Sequence, residues 1–335
     1  MSNYLIYGDI GGTKTLLRVV IADEGKTKPC YEQRYDSQSY ADFNEILADF
    51  LSKAGMDKAS RYPASACFAI AGPIVAQQAK LTNLPWLMDA AALATKFSIP
   101  RVKLINDFEA VALGIEKLSC DDLATLQYGL AGKLAMRVVL GAGTGMGVAW
   151  LHWQGERYIP LPTEGGHIDF APTTPLQMAL LDYLAKKFGH VSVERVLSGS
   201  GLTNIFNFLQ TDSIRFPGIT AMQLKEDSGA IITTLAFEQQ HPIALQALEL
   251  FAEIYGAYAG NLALMGLCRS GVYIAGGIAP RIIDTLQKGD FMRAFRNKGR
   301  FAGLMSEIPV HVVMNSQVGL LGAGIEAQRL IDASV

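Results

Sequence analysis

Twice along the 335-residue chain an apolar, strand-forming run breaks at a glycine-rich turn and resumes as a second strand-forming run: at Gly8-Asp9-Ile10-Gly11-Gly12-Thr13-Lys14-Thr15 and at Gly141-Ala142-Gly143-Thr144-Gly145-Met146-Gly147. β-formers on both sides of each turn predict hairpins, over 3–8 and 15–22 in the first case and 136–140 and 148–153 in the second, with a further strand at 28–34. A unit that recurs in this way predicts two related α/β halves around a cleft. The length agrees, because it exceeds what a single hydrophobic core usually fills. Only glycine lets backbone amides crowd onto a polyanion without a Cβ in the way, so the two turns are suited to clamping one polyphosphate from both sides. Taken singly, each also reads as an ordinary tight hairpin.

Neither turn is a strand-to-helix phosphate loop of the familiar kinds. Lys14 follows Thr13 rather than a glycine, which breaks Walker A spacing, and the third glycine of a dinucleotide fingerprint would fall at residue 146, which is Met. Each turn carries a threonine able to donate to phosphate, Thr13 or Thr144, and the first alone carries an acid, Asp9, able to hold a hydrated Mg²⁺.

Between the turns, Phe43, Ile46, Leu47, Phe50 and Leu51 share one helical face that stops at Gly55. A strand over 66–71 ends at Gly72-Pro73, Asp89 caps a helix over 90–97, and a strand over 102–106 leads into a helical stretch over 108–117. The domain change is placed near residue 117. Beyond it the pattern predicts strands at 123–128, 272–275 and 310–314, helices over 174–188, 192–198, 201–210, 220–238 and 242–268, and a tail helix over 320–331.

Composition excludes several function classes. The 29 basic and 31 acidic side chains are interspersed, with no cationic cluster of the kind a nucleic-acid reader needs. Cys30, Cys67, Cys120 and Cys268 lack the close spacing of a zinc or redox pair and read as buried, reduced thiols of a cytoplasmic protein. The start has no basic segment, and its apolar run 4–7 is too short for a signal peptide. Residues 244–268 are apolar but interrupted by Glu249, Glu253 and three glycines, which argues against a membrane span; the Gly256/Gly260 spacing predicts close helix contact instead.

Asp107 follows an apolar strand in Asn106-Asp107-Phe108. One reading is a cap on the next helix. The other is a carboxylate at the carboxyl edge of a sheet, where α/β proteins place ligands, able to accept a hydroxyl proton. Glu164-Gly165-Gly166-His167-Ile168-Asp169 is either a turn with solvated side chains or a polyol site, since each sugar hydroxyl both donates and accepts. His167 has no second His or Cys nearby to make a zinc site. Glu194, within Val193–Leu197, reads by itself as an ordinary amphipathic turn.

In order and over nearly the whole length, the segments GDIGGTKT (8–15), LTNLPW (81–86), INDFEAVA (105–112), LGAGTGMGVA (140–149), PTEGGHIDFAP (162–172), HVSVERVLSGSGL (190–202), YIAGGIAPR (273–281) and GLLGAG (319–324) resemble the bacterial glucokinases of the hexokinase, actin and heat-shock ATPase superfamily. The resemblance implies a two-domain actin-like ATPase (ribonuclease H-like) α/β fold with an interdomain cleft. Its small domain would span 1–117 plus 318–335 and its large one 118–317. It implies phosphorylation of glucose at the 6-hydroxyl by MgATP, with Asp107 as the base and Asn106, Glu164, His167 and Glu194 on sugar hydroxyls. Gly8, Asp9, Gly11, Gly12, Thr13 and Lys14 of the first turn and Gly143, Thr144 and Gly145 of the second would hold the phosphates. Asp9 would hold Mg²⁺ through water, Gly276 and Gly277 match the adenosine motif, and a homodimer is expected. Lys14 stands where the closest relatives usually have Asn, and Ser200 where Pro is common. The cysteine-rich zinc motif of the related ROK (repressor and kinase) sugar kinases is missing. Alternatives are a kinase for mannose or an N-acetylated amino sugar, or a sugar- and nucleotide-binding regulator that has lost catalysis.

Overall fold

The computed structural model describes residues 3–23, 26–56, 61–81 and 84–332. Thr82 and Asn83 of the LTNLPW segment lie outside the described residues. The chain divides into two compact units, residues 1–118 with 317–335, and residues 119–316.

The first unit runs β1 (Asn3–Ile10), β2 (Lys14–Asp23), β3 (Lys26–Asp36), α1 (Phe43–Lys53), β4 (Pro63–Ile70), β5 (Ile74–Val75), β6 (Gln78–Lys80), β7 (Leu87–Asp89), α2 (Ala90–Phe97), β8 (Val102–Asn106) and α3 (Asp107–Gly114). The second holds β9 (Leu123–Gln127), β10 (Arg137–Ala142), β11 (Met146–Gln154), β12 (Arg157–Thr163), α4 (Pro175–Phe188), α5 (Gly199–Leu209), α6 (Gly229–Phe237), α7 (Pro242–Met265), β13 (Val272–Ala275), α8 (Ile283–Gln287), α9 (Asp290–Arg296), α10 (Ala302–Glu307) and β14 (Val310–Val313). The chain then returns to the first unit as α11 (Val318–Asp332).

One strand plan is built twice. The first unit has the order β3-β2-β1-β4-β8, antiparallel across its first two pairs and parallel across the last two. The second repeats it as β12-β11-β10-β13-β14, with β9 added antiparallel to β14. In both copies the glycine turn joins the central strand to the antiparallel one beside it, as the strand-turn-strand pattern predicts. A small sheet β5-β6-β7 covers residues that carry no clear strand pattern in the sequence.

Alternation along β1 sorts the first unit's core. Ile6 and Ile10 face the layer containing Phe43, Phe50 and Phe68, whereas Leu5 and Tyr7 face the layer of α3 and α11 with Leu113, Leu320 and Ala323. All five predicted core residues of α1 are buried, and Asp89 caps α2 through the Ala92 amide. In the second unit, Gly256 and Gly260 of α7 do permit close contact: a Cβ at Gly256 would lie 2.0 Å from Phe291 O and one at Gly260 2.6 Å from Phe295 O, both on α9. Among the described residues no helix is long and apolar enough to cross a membrane.

Several expectations are corrected. Residues 192–198 form a single 3-10 turn, Val193–Arg195, because Ser198 caps the separate helix α5. Residues 220–228 are not helical; α6 begins at Gly229, whose missing side chain leaves room for Gly199 of α5, the Cα of which would stand 3.1 Å from a Cβ there. Strand β12 carries Pro160 and Pro162, which a central strand would not accept; it is the sheet's edge, where proline is tolerated. Short helices α8–α10 fill a stretch with no clear periodicity. The four thiols are free, but Cys30 and Cys120 are exposed rather than buried. Cys30 is the extra residue of a bulge in edge strand β3, between Pro29 opposite Val20 and Tyr31 opposite Val19.

Candidate active site

In the first unit β1, β4 and β8 run parallel with Ile10, Ile70 and Asn106 in register, so their carboxyl ends form one edge. Asp9 is one residue from the end of β1 and Asp107 is the first residue past β8, two strand spacings or about 10 Å across the sheet. Asp9 has the parity of Leu5 and Tyr7, which places it on the α11 side. There a Cβ on Gly319, in the first turn of α11, would stand 3.7 Å from Asp9 Oδ2. Burial pushes the Asp9 carboxyl up to about 6, and the charge of Asp107 adds to the rise.

The helix cap falls to Asn106. Its Oδ1 accepts from the amides of Phe108 at 2.9 Å and Glu109 at 3.3 Å, while its Nδ2 donates to Gly72 O at 3.2 Å. Asp107 is the first helical residue, partly exposed, with Oδ1 accepting from the Phe108 amide at 2.8 Å. The first glycine turn closes through Gly11 N donating to Lys14 O at 2.9 Å, leaving Thr13 and Lys14 exposed. Buried Ser37 braces it: its hydroxyl donates to Gly11 O at 2.8 Å and its amide to Thr13 O at 3.0 Å.

In the second unit three sequence-predicted groups meet around Met146. The turn Gly143–Gly145 leads directly into it, with Thr144 exposed. Glu194 Oε2 accepts the Met146 amide at 2.9 Å. Gly166 lies so close that a Cβ would come within 2.1 Å of Met146 O, which sets the Glu164–His167 loop against the start of β11. Glu164 and His167 themselves are solvent-facing, with Nε2 to Oε2 at 3.9 Å. A one-residue antiparallel bridge between Asp169 and Ser192 ties this loop to the Glu194 turn. Gly276, at φ +82° and with a hypothetical Cβ 2.4 Å from Ala142 O, lies against the end of β10, and Gly277 beside it is exposed.

Several supporting residues escaped the sequence reading. Tyr258 Oη donates to Gly165 O at 2.7 Å, but an aromatic in the apolar run of α7 looks like core. Ser198, whose hydroxyl donates to Glu194 O at 2.8 Å, had a usable signal in the Ser-Gly-Ser-Gly run. Ser37 and Gly319 act across long separations that no local pattern records.

A doubled five-strand plan with a glycine turn in each copy is the actin-like ATPase fold as sugar kinases carry it. A glucokinase crystal structure from an Antarctic psychrotroph is similar over 98% of this chain and 99% of that one, with a TM-score of 0.86 and 31% identity. A ROK family glucokinase from Streptomyces griseus, solved with glucose and AMPPNP, shares the fold at 18% identity and a TM-score of 0.63, covering 98% of this chain and all of that one. The Glucokinase family model matches residues 6–330. The glucokinase of Nostoc sp. (strain PCC 7120) is 45% identical over 97% of this chain and 99% of its own length. The chain belongs to the glucokinase family.

Proposed function

We propose that this chain transfers the γ-phosphoryl group of ATP to the 6-hydroxyl of glucose, giving glucose 6-phosphate and ADP. The observation that carries the reading is the position of Asp107 at the carboxyl edge of β1-β4-β8, with the helix cap supplied by its neighbour Asn106. A carboxylate so placed accepts the hydroxyl proton as the oxygen attacks phosphorus, an effect typically worth about 10²–10⁴ in rate. Asn106, Glu164, His167 and Glu194 bind sugar hydroxyls and orient the alcohol; Asn106 also caps the helix that begins at Asp107. The glycine turns offer backbone amides to the phosphates, and the open backbone at Gly276-Gly277 receives the adenosine.

Asp9 suits Mg²⁺, a hard cation that prefers oxygen and keeps its waters. Its half-buried carboxyl is raised toward about 6 by desolvation and by the charge of Asp107, a situation that a nearby cation relieves. When bound, the metal neutralises charge on the phosphates. Asp9 holds its hydration shell from the end of β1.

ADP release in a coupled assay with glucose, mannose and N-acetylglucosamine tests the assignment. Glucose should give the highest kcat/KM. A higher value with another hexose would move the substrate, and release that no hexose stimulates would favour a non-catalytic regulator.

A further inference from the structure

We propose that Glu194 serves both substrates: one carboxylate fixes the phosphate turn Gly143–Gly145 and a sugar hydroxyl, so that sugar and nucleotide affinity are coupled through this side chain. The inference rests on the site reading given above and deepens it. Glu194 Oε2 accepts the amide of Met146, the first residue after the turn, at 2.9 Å. The same oxygen lies 2.5 Å from where a Cβ on Gly145 would stand, so the carboxylate occupies the space that glycine leaves. The other end of the turn is held by the same segment, because Gly199 N donates to Gly143 O at 2.9 Å. Ser198 makes the segment rigid: its hydroxyl donates to Glu194 O at 2.8 Å and accepts from Gly201 N at 2.9 Å. Residues 194–199 therefore grip both ends of the turn. A carboxylate has about four acceptor sites on two oxygens, so engaging Met146 leaves capacity for a sugar hydroxyl. A sugar that draws on Glu194 thereby settles the turn that meets phosphate, and the linkage is reciprocal.

Crossed binding measurements by calorimetry test this, each substrate being titrated in the absence of the other. Gly145→Ala, a change in the phosphate turn, should weaken glucose binding about tenfold with no nucleotide present, because the new methyl displaces the carboxylate. Gly303→Ala in α10, outside the turn and with nothing within 4 Å of the added Cβ, should leave glucose affinity within about twofold. In the other direction, Glu194→Ala should weaken AMPPNP binding about tenfold with no sugar present. Glu194→Gln, whose amide oxygen still accepts from Met146, should restore AMPPNP affinity to within about threefold. Unchanged glucose affinity in folded Gly145→Ala, or parental AMPPNP affinity in Glu194→Ala, would overturn the coupling. If Gly145→Ala does not fold, the Glu194 pair decides alone. Glucose affinity in Glu194→Ala separates the two readings: its loss without the crossed effects sinks only the coupling, and its persistence sinks the sugar-site assignment itself.

Discussion

Ionisation of Asp9 works against folding, because burial first and the Asp107 charge second push its carboxyl up to about 6 from an ordinary value of 3.8. Between those two pH values the folded chain keeps a proton that the unfolded chain releases. Stability therefore falls as pH rises through the window, and the deficit is complete above it. Asp9→Asn should then stabilise the protein by up to about 3 kcal/mol at pH 8 and by little at pH 4, read from urea unfolding at each pH. An equal gain at both, or a loss at pH 8, would contradict this origin of the shift. Mg²⁺ affinity should move the other way, weakening as pH falls through about 6, because the cation must displace the proton that Asp9 then holds. Asp9 was legible as an acid in a glycine turn, but its burial was not. Enclosure depends on Gly319 reaching it from the far end of the chain.

Among the elements, α3 matters most because it begins at Asp107 and is positioned by α11 through glycines. A Cβ on Gly322 would stand 1.8 Å from Ala110 O, and one on Gly114 1.9 Å from Val318 O, so the two backbones touch. Gly322→Ala must part the helices and should cost about 3 kcal/mol or more, with turnover falling as Asp107 shifts. Gly303→Ala in α10, which meets nothing within 4 Å, should be neutral or stabilise by about 0.5–1 kcal/mol. Equal thermal midpoints for the two variants would rule out the close crossing. Elements with strong periodicity or a plain cap were readable: α1 from its apolar face, α2 from Asp89, β8 from its largely apolar stretch after the break at Pro100. Those set by context were not. The prolines of β12 mislead unless its edge position is known, and the 3-10 turn at Glu194 depends on pairing with residue 168, where Val193 N donates to Ile168 O at 2.9 Å.

For the whole molecule, the repeated strand plan was legible because alternation and glycine are local signals, and each copy could be read where it stood. The return of α11 to the first sheet was not, since its contacts cross the entire second unit: Ser65 Oγ donates to Ala327 O at 2.7 Å over a separation of 262 residues. The family resemblance supplied that long-range knowledge, and it also raised Glu194 above an ordinary turn. What the sequence and the fold together support is a kinase whose catalytic contribution at the reacting hydroxyl is a single carboxylate at residue 107. The most direct measurement is kcat of Asp107→Asn in the coupled glucose assay, with glucose affinity measured alongside by calorimetry. A loss of about 10²–10⁴ in kcat is expected, with glucose affinity held within about tenfold. Wild-type turnover in the folded variant would contradict it.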